Sequence, residues 1–276
     1  MLRSSRSRLR ELATASERAF SAKAGSGGIA GPKILGALRF YKDVDVKNVE
    51  VEENGSEPRE FFAVTLDGKA VKTPRQQPLR LPTRAMAYAV AHEWDAQRHD
   101  IRPATMPIMT LVSTALDLFF TSSSQETIDE IMHYFHTDTV CYQVTADQQE
   151  KLVVLQQKKW KPIRKWFSDT FEGEVDVSYG SIDGLVHDHQ LIANLNDFEL
   201  TAMRTLTKEC KSLITALAVF KRHITEKEAI DICRVEEEFQ INNWGLVEGG
   251  HDLDRVNCAV KLSSASFLLY LLENKH

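Results

Sequence analysis

His92 and Glu93 open the pattern of a zinc hydrolase, in which two histidines four residues apart hold the metal and the glutamate between them serves as base. The second histidine position is Ala96, so the ligand pair is incomplete. His133 and His136 lie one helical turn apart near Asp138, and His187 and His189 flank Asp188. Such pairs are usually solvated or hydrogen-bonded, and without further ligands they do not make a metal site. The chain has no GxGxxG, GxxxxGK[ST] or GxSxG motif to cradle phosphate or present a nucleophile. Its four cysteines, Cys141, Cys210, Cys233 and Cys258, show no CxxC spacing and suit buried free thiols in a reducing compartment.

The more informative polar residues are acidic. Thr225 and Glu228 form a capping box for a helix predicted to run from Glu226 to about Asn242. On a wheel advancing about 100° per residue, Glu236, Glu237 and Gln240 fall inside the apolar arc with Ala229, Ile230 and Cys233, and Glu238 falls on the polar side. Buried carboxylates are costly unless paired. One reading is an internal salt bridge with Arg204, Arg222 or Arg234; the other is an acidic patch facing a partner. The patch continues into Trp244-Gly245 and Glu248-Gly249-Gly250-His251-Asp252, which has the aromatic and glycine content of a recognition loop. The candidate partner-binding residues are therefore Glu236, Glu237, Gln240, Trp244, Glu248, His251 and Asp252.

The elements that carry these residues follow a β-then-α order. Arg39 to Val46 reads as a strand, and the alternating Val49 to Glu52 extends the sheet. Asn54-Gly55 marks a turn. Asp67-Gly68 between alternating runs predicts a two-residue hairpin that pairs Leu66 with Lys69, Val64 with Val71 and Phe62 with Thr73. Phe62, Val64, Leu66 and Val71 then share a face that something must cover. Thr83 is the predicted N-cap of a helix whose stripe, Ala87, Val90, Ala91 and Trp94, can lie on that face, with Trp94 as a buried anchor and Glu93, Asp95 and Gln97 outside the stripe. Pro107 opens the next helix, with Ile108, Leu111, Val112, Ala115 and Phe119 inward. Ser123 with Glu126 caps a third helix. Further helices are predicted over Leu152–Phe167 (inward Leu155, Trp160, Ile163, Trp166), Asp197 to about Arg222, and His251–Leu272. Trp94, Asp67, Gly68 and Pro107 mark a structural junction between sheet and helices.

The fold class is thus α+β, a small N-terminal antiparallel β domain over residues 36–82 followed by a larger all-helical domain over 83–276. Residues 1–35 have a different character. From Met1 to Lys33 five Arg and two Lys stand against Glu11 and Glu17, a balance of +5 among Ser, Ala and Leu. An Arg-rich, Ser-rich, acid-poor start reads as a mitochondrial transit peptide, and Arg18-Ala19-Phe20-Ser21 resembles a matrix-protease site cut after Phe20. The 276-residue chain carries −5, so the remainder carries −10, which argues against a general nucleic-acid binder. Apolar and charged fractions of 43% and 26% are those of a globular protein. No run reaches the roughly 18 consecutive apolar residues of a membrane span.

Arg39-Phe40-Tyr41, Leu66-Asp67-Gly68 with Lys72-Thr73-Pro74, Glu93-Trp94-Asp95-Ala96-Gln97, Met106-Pro107, and Glu237-Glu238-Phe239-Gln240 with Trp244-Gly245 together resemble the assembly chaperones of the F-type ATP synthase head. The likeness is to the type that binds the unassembled alpha subunit, and it runs from about Leu38 to about Leu272. It implies a β-then-helical fold, a mitochondrial matrix location, a transient alpha-subunit client, no enzymatic activity and no cofactor; charge and the lack of a long apolar run give the expectation of no nucleic acid and no membrane insertion. Two other classes compete: a metal-dependent hydrolase using His92, Glu93, Asp95 and His99, and a permanent structural subunit of a matrix complex.

Overall fold

The computed structural model describes residues 37–51, 59–118, 124–179 and 192–274. The expected transit segment, Asn54-Gly55, Phe119, Ser123 and the His187–His189 group lie outside them. Strand β1 (Val44–Val51) pairs antiparallel with β2 (Arg59–Leu66), and β3 (Lys69–Ala70) pairs with the other edge of β2. Asp67 and Gly68 have φ of 48° and 79°, the two left-handed residues that a type I′ turn requires. Leu66 pairs with Lys69, and the Val71 N–H donates to Val64 O at 2.8 Å. The expected Phe62–Thr73 pair is replaced. Phe62 exchanges two 2.9 Å backbone bonds with Leu81 instead. Pro74 cannot donate to a ladder, so the chain leaves the sheet in a tight loop in which Thr73 N–H bonds Gln77 O, and returns at Leu81. The first strand also starts later than expected, at Val44, because Leu38 to Tyr41 is drawn toward the end of the first helix: Leu38 bridges Asp100 and Arg39 N–H bonds His99 O.

Helix α1 (Arg84–Asp95) begins where Thr83 accepts from Met86 N–H at 3.2 Å, and buries Met86, Ala87, Val90 and Ala91 toward β1 and β2. Helix α2 (Pro107–Leu118) starts at the expected proline. Helix α3 (Ser124–His136) buries Ile131 and Phe135. Strand β4 (Tyr142–Gln143) pairs parallel with β5 (Ser178–Tyr179) across α4 (Ala146–Phe171), a two-residue contact within the helical region. Trp160 and Ile163 of α4 are buried as expected, whereas Leu155 is exposed.

Two helices expected as continuous are each broken. The first becomes α5 (Asp197–Cys210) and α6 (Leu213–Phe220). Lys211 turns left-handed, and Ser212 caps α6 by accepting from Thr215 N–H at 3.0 Å. Buried Asp138 assists, taking N–H bonds from Val140 and Ile214; burial pushes its carboxyl up to about 6. The second becomes α7 (Glu226–Cys233) and α8 (Val235–Trp244), separated at Arg234. A single wheel through both is therefore invalid. The last helix, α9 (His251–Glu273), packs on α5, α2 and α7. It is long and apolar enough to span a membrane, but Cys258, Leu262, Ala265, Leu268 and Leu269 are buried in the core. Helix α5 sits at the centre, against α2, α3, α6 and α9, and one apolar core runs from Phe62 and Val64 through α5 to α9.

The sheet meets the helices at a polar junction. The Arg39 guanidinium donates to Tyr41 O, Lys42 O, Asp95 O and Gln97 O, and lies 4.6 Å from the Tyr41 ring centroid. Tyr41 donates to Trp94 O at 2.6 Å and packs edge-on to its ring at 5.7 Å. Asp67 accepts from the N–H groups of Lys42 and Asp43, which hold its carboxyl below the usual range. Glu93 accepts from Ile108 and Met109 N–H at 2.8 and 2.7 Å, capping α2; burial nevertheless raises its pKa. Gln97 is buried, donating to Glu93 O and Thr105 and accepting from Arg102 N–H. Glu93 and Gln97, expected outside the packed face, thus hold the helix end together.

Trp94 is half-buried at the rim of the core rather than fully buried, and its Nε1 has no hydrogen-bond partner among the described residues. The missing partner and partial exposure reduce what the ring contributes. Trp94→Ala should cost about 2 kcal/mol, below the ~3–5 kcal/mol of a fully buried tryptophan. Trp94→Arg should cost more, because it sets a second guanidinium near Arg39. A thermal melt should show the Ala variant lowered by roughly 4–8 °C and the Arg variant lower still; equal midpoints would show that the neighbouring charge is irrelevant.

Candidate functional site

The break at Arg234 resets the geometry of the acidic residues. Arg234 is itself buried, at 4% side-chain exposure, and pairs with Glu238 and Asp254. Arg255 also pairs with Glu238. These charges tie α7, α8 and the start of α9 together, and the Arg234 bond holds the Asp254 carboxyl below its ordinary range. Arg204 and Arg222, considered as internal partners for Glu236 or Glu237, pair instead with Glu130 at 2.7 Å and Glu273 at 2.6 Å.

Glu236 turns inward and accepts from Gln156 Nε2 at 2.8 Å. Burial raises its pKa, and the Gln156 bond opposes that rise. Gln156 is fully buried and also accepts from Val144 N–H, so this contact fastens α8 to α4. Glu237 is at the edge of the fold, one-third exposed (32%), with Lys211 at 3.3 Å. Three and seven residues on from it, exposed Gln240 and Trp244 lie on the same side of α8. Trp244 is 73% exposed.

The loop after Trp244 is short and internally braced. Gly245 ends α8 with φ of 88°, a conformation that L side chains rarely adopt. Val247 N–H donates to His251 Nδ1 at 3.2 Å, which gives His251 a bracing contact within the loop. Glu248 is exposed, and Asp252 Oδ1 is buried without a hydrogen-bond partner among the described residues. Leu246, Val247, Leu253 and Val256 are each more than half exposed. Wheel reasoning on the acidic residues missed these four. For Leu253 and Val256 the signal was an apolar pattern on α9 that exceeds the one face a core helix needs; Leu246 and Val247 lie in the loop and had none.

His92 is exposed, His99 contacts Asp100, Asp95 faces Arg39, and both Glu93 oxygens are engaged in capping. The hydrolase set is therefore not gathered into a site. Among the described residues, no group of three or more His, Cys, Asp or Glu side chains is placed to hold a metal.

The site is thus a braced β-then-helical body with an open apolar loop, and its likeness to known proteins is specific. Residues 38–168 match the family described as ATP12 chaperone protein. The mitochondrial protein atp12 of Schizosaccharomyces pombe is 28% identical over 257 residues, covering 86% of this chain and 84% of the relative. The crystal structure of Atp12 from Paracoccus denitrificans superposes with a TM-score of 0.72 at 29% identity, covering 86% of this chain and 98% of that one. A protein from Agrobacterium tumefaciens gives a TM-score of 0.73 at 29% identity, over 85% and 86%. The chain is thus similar over most of its length to ATP12 proteins, the likeness that the sequence motifs also carry.

The half-exposed Glu237–Lys211 pair makes a specific stability prediction. Exposed pairs contribute about 0–1 kcal/mol, so Glu237→Lys should lower the melting temperature by no more than about 4 °C. Glu236→Lys should lower it further, because the charge enters a half-buried site facing Gln156. Calorimetry on both variants checks the order; a collapse of the Glu237 variant would make that residue part of the core's charge pairing.

Proposed function

We propose that this protein is an assembly chaperone that binds the unassembled alpha subunit of the mitochondrial ATP synthase head and releases it on assembly. The matrix is the compartment this implies, and neither catalysis nor a cofactor is part of the role. The homology to mitochondrial ATP12 proteins supports the class. The observation that carries the contact surface is Trp244, a large aromatic 73% exposed beside Leu246 and Val247. Exposed apolar patches of this kind mark protein-binding sites, and tryptophan is a frequent anchor of such contacts. An isolated alpha subunit has an apolar face destined for its beta neighbour, and an uncovered face of that kind invites aggregation. A modest interface with a polar rim suits a chaperone that must yield to the permanent partner. Glu237, Gln240, Glu248 and Asp252 supply that rim, with His251 bracing the loop from within.

Capture of purified alpha subunit by the mature protein tests this directly. Trp244→Ala should weaken binding at least tenfold with an unchanged melting temperature. Glu237→Lys should weaken it by about 2 kcal/mol, some thirtyfold, if its edge is desolvated on binding. Failure of the unmodified protein to bind alpha would overturn the client assignment. Normal binding by both variants would move the surface elsewhere.

A further inference from the structure

Helix α9 carries two apolar faces. One, with Cys258, Leu262, Ala265 and Leu269, is buried in the core. The other consists of Leu253, Val256, Val260, Phe267 and Tyr270, exposed by 58, 60, 43, 46 and 48%. With Ser263 between Val260 and Phe267, these positions advance by three, four, three, four and three residues. That alternation is the spacing of a helix–helix seam. It needs no further face to build the core, which the first already serves. Phe267 and Tyr270 are parallel at 6.2 Å between centroids and border a groove of about 380 Å³ formed with Phe220, Arg222, His223 and Ile224.

We propose that this second face of α9 receives an amphipathic helix of the client, with basic residues at the end that reaches Glu248 and Asp252. The proposal rests on the reading of the Trp244 loop as client-binding and extends it. Continuity is the first argument: Leu253 directly follows Asp252, so the stripe begins where the loop surface ends. Charge is the second. Exposed Glu248 and half-buried Asp252 make the loop end of the stripe acidic, which suits a basic client segment.

Size and charge together disfavour a second copy as the occupant. From Leu253 to Tyr270 the face is roughly 26 Å long and about 10 Å wide, on the order of 260 Å². A standard interface buries about 800 Å² per partner, so the stripe alone is too small for a stable dimer. Parallel copies would also oppose their Asp252 carboxylates. Added to the loop, by contrast, the stripe enlarges one continuous client surface.

The test uses the mature full-length protein and isolated alpha subunit, with binding read by titration and oligomeric state by light scattering. Val256→Glu with Val260→Glu should weaken alpha binding at least tenfold while the protein stays monomeric and melts within a few degrees of the unmodified chain. Leu253→Ser with Val260→Ser replaces that variant if the glutamates reduce the melting temperature. Glu248→Lys should weaken binding less at high salt than at low salt. Loss of binding in Trp244→Ala with full binding in the stripe variants would overturn this inference and leave the client reading intact. Absence of binding by the unmodified protein would overturn both. A dimer in the unmodified protein that the stripe variants dissociate would assign the face to a second copy and overturn the proposal.

Discussion

Arg39 and Glu93 bind the two ends of successive helices, and the arrangement of sheet and helical body follows from that pairing. A helix leaves carbonyls unsatisfied at its C-terminus and N–H groups unsatisfied at its N-terminus. Arg39 brings a cation to the Asp95 and Gln97 carbonyls at the end of α1, and Glu93 brings an anion to the Ile108 and Met109 N–H groups at the start of α2. Both placements also complement the helix dipoles. Because Arg39 is immediately upstream of the sheet, these bonds fix the sheet's entry against the helix pair. Asp67 closes the arrangement from the hairpin, and Tyr41 links it to Trp94.

This junction explains why short, scattered motifs indicated the family so well. Arg39 and Tyr41, Asp67, and Glu93 to Gln97 are distant in sequence but participate in one hydrogen-bonded unit, and Met106-Pro107 leads into the N–H groups that Glu93 caps. Local chemistry made several of its parts legible: two left-handed residues for the hairpin, Thr83 for a cap, Pro107 for a helix start. The roles of Glu93 and Gln97 were not legible, because a helical wheel measures periodicity and cannot see a neighbouring helix's N–H groups. Phe62 likewise found Leu81 through a proline-enforced excursion that strand alternation does not encode.

On the candidate surface, periodicity misled for a different reason. Lys211 and Arg234 lie within apolar patterns that run on smoothly, so each helix break was hidden. The breaks have physical causes: a serine cap aided by Asp138, and a buried arginine held by Glu238 and Asp254. Once α8 is separated from α7, Glu236 becomes a strut to Gln156 while Glu237 stays at the edge. The aromatic, glycine-rich loop that follows Trp244 was legible from composition, but the exposure of Leu246, Val247 and the second face of α9 required the packing.

The resulting molecule separates stability from contact. Its junction is dense with hydrogen-bonded polar groups, Trp94 Nε1 excepted, whereas the α8–α9 loop and the outer face of α9 leave large apolar side chains open. In the proposed chaperone role, this separation would let the client surface be covered and uncovered while the junction holds the fold. Hydrogen–deuterium exchange on the mature protein, with and without alpha subunit, tests that division most directly. Binding should slow exchange across residues 240–260 and leave β1, β2 and the start of α2 unchanged. Protection confined to the sheet and α1, with none in the α8–α9 loop, would contradict it.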